Sequence, residues 1–386
     1  MDRFEFATAA RLVVGPGTSA EIGTISRAFG TRCLVVTGSQ PHRARPILTT
    51  LAAAGIETTT WPLVGGEPTL DQIALGLDQA RASGSEFVVG FGGGSAIDAA
   101  KAIAGLLANE GDLLDYLEVV GQGRPLLNAA APWIAVPTTA GAGAEVTRNA
   151  VITSPAHRVK ASLRSQGLLA RVAIVDATLT LDLPPSITAA TGLDTLTQVI
   201  EPWLCNRSNP MTDSFCLDGM RRVARSLRTA VNQGSNLAAR NDMSVAALLG
   251  GLSLANAGLG AVHGLAAPIG GAFPAPHGAV CAALLGAALT INLAALRSRR
   301  PNAPVLERFD HMARELTGHN DAVAEDGIVW VLDLLRDLRI PTLRTYGITP
   351  ADFSDLAQKA AAASSMKANP IPLTPPEITA ILESSW

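Results

Sequence analysis

Between residues 33 and 175, short β-branched apolar runs alternate with stretches of helical periodicity, and this alternation restricts the fold more than any other feature. Residues 33–37 (CLVVT) read as a buried strand ended by Gly38-Ser39, and residues 47–54 as a helix. The next strand lies around 58–63, followed by an amphipathic helix over 71–83 and a strand over 87–90 that runs into Gly92-Gly93-Gly94-Ser95. A helix follows over 96–108, then strands over 133–136, before Pro137, and over 173–175, before Asp176. Strands separated by helices cannot pair through tight hairpins; this spacing predicts a mostly parallel sheet covered on both faces. After Leu183-Pro184-Pro185 the pattern turns to long Ala/Leu-rich helical segments. We therefore expect an α/β domain over residues 1–183 and an all-α domain over residues 184–386, and 386 residues are enough for two cores.

Charge is sparse. Asp, Glu, Lys and Arg make up 16% of the chain and the formal net charge is -3, so there is no basic footprint for nucleic acid and no polybasic patch for a membrane surface. Cys33, Cys205, Cys216 and Cys281 are scattered without close pairing, which reads as buried thiols in a reducing compartment. The opening MDRFEFATAARLVVG has no apolar run of signal-peptide length, and a cytoplasmic protein is expected. Residues 243–296 contain no charged side chain, a stretch longer than the roughly 20 residues of a membrane span. It is broken, however, by Asn256, Gly258, Gly260, His263, Pro268, Pro274, Pro276 and His277. Exposed backbone and two imidazoles are costly in lipid, so this stretch is expected to form the centre of the helical domain, with no membrane as partner. A site inside it would lie in a low dielectric.

Gly92-Gly93-Gly94-Ser95 lies between a predicted strand and a predicted helix. Glycines there let the backbone approach a diphosphate, and the amides and dipole of the helix start favour the anion; a plain tight turn uses the same residues. The run is neither GxGxxG nor GxxxxGK[ST]. Its surroundings are more specific. GGGSAIDAAKAIA (92–104), PTTAGAGAEVT (137–147), DTLTQVIE (194–201), VHG (262–264), PHG (276–278) and SSMKANP (364–370) occur in that order. Together they resemble the iron-containing (group III) alcohol dehydrogenase family over nearly the whole chain.

The resemblance implies a Rossmann-like first domain and NAD or NADP as cofactor. It also implies hydride transfer between an alcohol and an aldehyde or ketone, a small carbonyl or alcohol substrate, and a homodimer. It further implies that Gly92, Gly93, Gly94 and Ser95 hold the pyrophosphate and that Asp98 lies near the cofactor. Thr138 and Thr139 would bond its adenine and ribose side, and Lys160 would approach the nicotinamide ribose. Read from the residues alone, the threonine pair is equally a turn cap. Where an acidic residue would hold a ribose 2′-hydroxyl stands Gly38, followed by Ser39. Neither repels a 2′-phosphate, and Arg43 or Arg45 is able to pair with one, so NADP(H) is expected to be accepted. The alternative is that both arginines are solvated loop charges.

In the helical half, Asp194 and Gln198 are spaced i, i+4 and share a helix face. His263 and His277 lie in the charge-free stretch, each followed by a glycine. The resemblance implies a divalent metal, Fe2+ or Zn2+, held at these four positions, with Asp194, His263 and His277 serving the chemistry. The pattern has a histidine where this chain has Gln198, whose carbonyl is a harder and weaker donor than imidazole. A second histidine of the pattern, thought to relay the substrate proton, is here Ala267. Trp203 and Phe273 are either pocket-lining or core. His42, His157, His311 and His319 fall outside the pattern and are expected to be structural or superficial.

Three other readings are open. A metal-independent enzyme resembling maleylacetate reductases would need cationic residues for its acidic substrate, and the pocket-forming segments are nearly uncharged. A lyase resembling dehydroquinate synthase would show no net NAD(P)H consumption. A remnant that only binds nucleotide would turn over no carbonyl. The main reading requires the glycine turn and the two imidazoles to face one cleft.

Overall fold

A computed structural model describes residues 3–157 and 159–386. The chain divides into two compact units. One comprises Phe6–Thr139 and Gly143–Leu181; the other comprises Asp182–Trp386 together with residues 3–5 and Ala140–Ala142. Those two short excursions are absent from the domain limits read from the sequence.

The first unit holds β1 (Leu12–Val14), β2 (Arg32–Thr37), β3 (Glu57–Pro62), β4 (Phe87–Gly92), β5 (Trp133–Pro137), β6 (Asn149–Ser154), β7 (Val159–Arg164) and β8 (Val172–Val175). Six strands form one parallel sheet in the order β1-β8-β5-β4-β2-β3. Every residue of β4, β5 and β8 is buried, which is why these strands read as unbroken apolar runs rather than alternating ones. Helices α1 (Ile22–Ser26), α2 (Arg45–Ala53), α3 (Leu70–Ala82), α4 (Gly94–Leu107) and α5 (Leu113–Tyr116) belong to the same unit. Thr69 and Gln72 close a capping box at the start of α3, fixing where that helix begins. β6 and β7 pair separately as an antiparallel hairpin, and this hairpin was not anticipated.

The second unit is helical: α6 (Pro185–Leu204), α7 (Pro210–Asn232), α8 (Leu237–Asn256), α9 (Ala261–Ala272), α10 (His277–Arg299), α11 (Val305–Thr317), α12 (Ala324–Asp337), α13 (Phe353–Ala362) and α14 (Pro375–Ser384). α6 starts with Pro185 at its first turn and is buried on all sides from Gly192 onward, the pattern of a central core helix. The charge-free stretch becomes the end of α8, then α9 and most of α10. A bend of 94° separates α8 from α9 at the Gly258–Gly260 break. By length and composition α10 would cross a membrane, but 72% of its apolar window is buried within the protein. Its apolar surface is thus already covered, as in the core of a folded domain.

Candidate active site and metal centre

In the α/β unit the strand order reverses between β2 and β4. The chain runs outward from β2 to β3 and returns on the other side of β2 as β4. Open parallel sheets take ligands at such a reversal, beyond the carboxyl ends of the strands. Gly38-Ser39 follow β2 there, and Gly92 ends β4. A Cβ on Gly92 would lie 2.6 Å from the Ala96 Cβ and 3.3 Å from the Gly38 nitrogen, at a φ of +157°, so only glycine fits. α4 then starts at Gly94 without a side-chain cap, which leaves its first-turn amides available to an anion. The Thr138 amide donates to the Gly92 carbonyl at 2.8 Å. A Cβ on Gly93 would lie 3.5 Å from the Thr139 side chain. Gly38, Ser39, Gly92, Gly93, Gly94, Ser95, Thr138 and Thr139 therefore form one cluster.

Two residues expected near the cofactor have partners of their own. Asp98 faces Lys101 Nζ at 3.3 Å and accepts from the Val151 amide at 3.1 Å, tying α4 to β6. Lys160 pairs with Glu67 at 2.6 Å on β7. Arg43 donates to the Leu179 carbonyl at 2.7 Å, whereas Arg45 is exposed. Beneath the turn, the fully buried Lys101 ammonium donates to the carbonyls of Ala144 (2.9 Å) and Asn149 (2.6 Å) and to Thr147 Oγ1 (2.9 Å). Burial lowers the Lys101 pKa against the pull of Asp98 and Glu145. Burial also pushes the Glu145 carboxyl up to about 7.

In the helical unit, Asp194 on α6, His263 on α9, and His277 and Cys281 on α10 converge; their ligand-type atoms all lie within 4.8 Å of one another. Gly278 permits the approach of α10 to α6, since a Cβ there would come within 2.7 Å of the Ala190 carbonyl oxygen. His263 Nδ1 lies 2.7 Å from Glu201 Oε2, and the Val262 amide donates to Glu201 Oε1 at 2.7 Å. A carboxylate only accepts, so Nδ1 carries a proton, and Nε2 is the nitrogen left to face Asp194. That Nε2 stands 3.6 Å from Asp194 Oδ1, too far for a hydrogen bond. His277 Nε2 is 3.9 Å from the same oxygen, which is buried without any partner.

A buried carboxylate oxygen that meets two imidazole nitrogens without a hydrogen bond calls for positive charge among them, as protons on the rings or as a bound cation. Burial alone would raise the Asp194 carboxyl, but His263, His277 and Gln198 outweigh it and hold the group below the ordinary range. His277 is pushed up to about 9, chiefly by the Cys281 thiolate. Burial depresses His263, yet Cys281, Asp194 and Glu201 raise it well above an ordinary imidazole. The set is thus built to take either extra protons or a divalent ion in their stead, and its donors suit the latter.

A family model described as iron-containing alcohol dehydrogenase matches residues 9–177, and one for the C-terminal part of the same family matches residues 188–386. The chain belongs to the iron-containing alcohol dehydrogenase family. It is 37% identical to the 1,3-propanediol dehydrogenase of Klebsiella pneumoniae, over 87% of this chain and 85% of that one. It is also 35% identical to the probable alcohol dehydrogenase EutG of Salmonella typhimurium, over 94% and 90%. The structure of a 1,3-propanediol oxidoreductase superposes with a TM-score of 0.92 at 32% identity, each chain covered completely. As a member of this NAD(P)- and metal-dependent family, the chain is an alcohol dehydrogenase that interconverts alcohols with aldehydes or ketones.

Several site features were not anticipated. Cys281 was read as one more buried thiol, although its i, i+4 spacing from His277 was visible. Glu201 lies seven residues after Asp194, on the same face of α6, and so carried a signal as well. Asn369 lies in the quoted SSMKANP run, which was given no role: its Oδ1 accepts from the Ala261 amide at 3.0 Å and so secures the start of the helix that carries His263. Trp203 resolves as core, with its indole donating to the Arg308 carbonyl at 2.8 Å and its ring covered by the Arg308 guanidinium. Phe273 is partly buried against the helical core. Ala267 is exposed, His157 bonds Ser154 at 2.7 Å, and His311 faces Glu315 at 3.1 Å.

Proposed function

We propose that this dehydrogenase acts on short, uncharged alcohols and aldehydes, accepts NADP(H), and holds a divalent metal through Asp194, His263 and His277. One observation carries the reading: a buried carboxylate oxygen with no partner faces two imidazoles. When bound, the nicotinamide supplies or takes the hydride and the metal polarises the carbonyl oxygen as a Lewis acid. The chain's own residues do the positioning. Glu201 fixes the ring of His263, and the first-turn amides of α4 receive the pyrophosphate. The absence of charged side chains from residues 243–296 keeps the surroundings of the two imidazoles weakly screening.

Short uncharged substrates are favoured by that same stretch and by the propanediol substrates in the names of relatives. Acceptance of NADP(H) is favoured by Gly38 and by the exposed Arg45. Four free buried thiols fit a cytoplasmic setting. A homodimer belongs to the same proposal; Leu12 and Val14 lie exposed on the edge strand β1, where unpaired backbone would need cover. The test is the initial rate of reduction of propanal and 3-hydroxypropanal with NADPH and with NADH, before and after removal of metal by a chelator. Turnover that stops on chelation and returns with added metal is expected. Unchanged rates in fully demetallated enzyme would remove the Lewis-acid role, and absence of net NADPH oxidation would remove the dehydrogenase.

A further inference from the structure

We propose that Cys281 Sγ, and not the Gln198 amide, supplies the fourth ligand to the metal, and that the site is therefore built for zinc. The inference rests on the reading above that Asp194, His263 and His277 hold a divalent ion. Cys281 follows His277 by one turn of α10, so both side chains leave the same helix face. Its thiol is buried and lies 3.6 Å from His277 Nε2. In a tetrahedral zinc site, with Zn–S near 2.3 Å and Zn–N near 2.0–2.1 Å, the sulfur and nitrogen stand about 3.5 Å apart. The contacts of Asp194 Oδ1 with His263 Nε2, at 3.6 Å, and with His277 Nε2, at 3.9 Å, are slightly longer than such an edge. The unpartnered Asp194 Oδ1 is the independent sign that a ligand belongs among these four groups.

Gln198 is the rival, because its Oε1 is also buried without a partner. That oxygen, however, lies 3.4 Å from where a Cβ on Gly250 would sit, so it is directed at α8. Gln198 also helps keep the Asp194 carboxyl below its ordinary range. With its oxygen against α8, Gln198 acts as a positioning residue beside Asp194. The donor set is then one thiolate, two imidazoles and one carboxylate, and a soft sulfur among nitrogens favours zinc over iron. Side-chain exposure is 4% at Asp194, 8% at His263 and 35% at His277, so a substrate oxygen would approach along the His277 edge.

The experiment uses the full-length protein loaded with Zn2+ or Co2+. X-ray absorption of the zinc protein is expected to show one sulfur at about 2.3 Å beside lighter donors at about 2.0–2.2 Å. The cobalt protein is expected to show a sulfur-to-cobalt charge-transfer band in the near ultraviolet. The Cys281→Ser variant should lose that band and at least about tenfold in zinc affinity, the lower range for losing even an outer partner of a ligand. Gln198→Ala should keep the band. A shell of light atoms alone in the wild-type zinc protein, or a band that survives Cys281→Ser, overturns the proposal. NADPH turnover measured on the same zinc sample separates the two readings. An active enzyme with no sulfur shell refutes Cys281 alone, whereas a protein that takes up no metal refutes the metal site with it.

Discussion

Glu201→Gln is the most discriminating substitution in the helical unit, because it alters one atom and leaves the shape intact. The two carboxylate oxygens of Glu201 accept from two buried donors, the Val262 amide and His263 Nδ1, each at 2.7 Å. A glutamine offers one oxygen and one NH2. If the oxygen stays with Val262, the NH2 confronts the Nδ1 proton, and the ring relieves that clash by moving its proton to Nε2. Nε2 is the atom that faces Asp194; once protonated it can no longer ligate a metal. If the oxygen turns to His263 instead, the Val262 amide is left buried and unpaired at the start of α9. A hydrogen bond to a charged group contributes about 1.5–3 kcal/mol. Loss of an outer partner of a ligating histidine costs about 10- to 100-fold in metal affinity, which converts to roughly 1.4–2.8 kcal/mol. The two estimates agree. We therefore expect the zinc affinity of Glu201→Gln, measured by competition with a chromophoric chelator, to fall 10- to 100-fold, with the metal-free protein still folded by circular dichroism. A folded variant with wild-type zinc affinity would refute both the proton assignment on His263 and the role given to Glu201.

Gly92→Ala should weaken NADPH binding, read by cofactor fluorescence, because its Cβ would sit 2.6 Å from the Ala96 Cβ; a strained backbone of this kind costs about 1–3 kcal/mol. Zinc affinity should be unchanged, and a cofactor dissociation constant equal to that of the wild type would count against the glycine turn as the pyrophosphate site. Gly38→Asp has open space for its side chain, with no atom within 4 Å of the Cβ position. Its charge should lower the ratio of kcat/KM for NADPH over NADH by about tenfold or more, since like charges near 4 Å repel by about 1–4 kcal/mol between the water and protein limits; an unchanged ratio would detach Gly38 from the ribose. Glu145 ionises near 4.5 when free and near 7 when folded. The unfolded chain thus releases this proton first, and folding stability falls between pH 4.5 and 7, by about 3 kcal/mol, then levels off. Glu145→Gln should remove that fall, so calorimetric Tm values of variant and wild type should separate in the variant's favour from pH 5 to pH 8; a constant difference would contradict the burial assigned to Glu145 beside Lys101.

Much of the fold could be read from the sequence because burial on two faces leaves an unambiguous mark. β4, β5 and β8 are covered from above and below, and their residues are apolar without interruption. β6 and β7 were missed for the complementary reason. NAVITS and VKASLR are short and half buried, and in the first the alternation is broken by apolar Val151 on the outer face and by polar Ser154 on the buried one. β1 has only three residues, two of them exposed, and its place beside β8 comes from pairing across some 160 positions that no local pattern records.

The candidate metal centre divides along a related line. Spacing within one helix can be read directly: Asp194 with Gln198, and His277 with Cys281, are each four residues apart, so each pair shares a face. Spacing does not say which member of a pair ends among the ligands and which beside them. That choice is made by the neighbouring helix. Gly250 on α8 leaves room for the Gln198 oxygen, while Gly278 lets α10 approach α6 until the Cys281 thiol lies among the donors. A larger residue at either glycine would crowd the Gln198 side chain or the Ala190 carbonyl and so shift the candidate ligands without replacing any of them. The chemistry of the centre is thus specified as much by those two glycines as by the side chains that form it, and that specification passes between helices more than 50 residues apart in the chain.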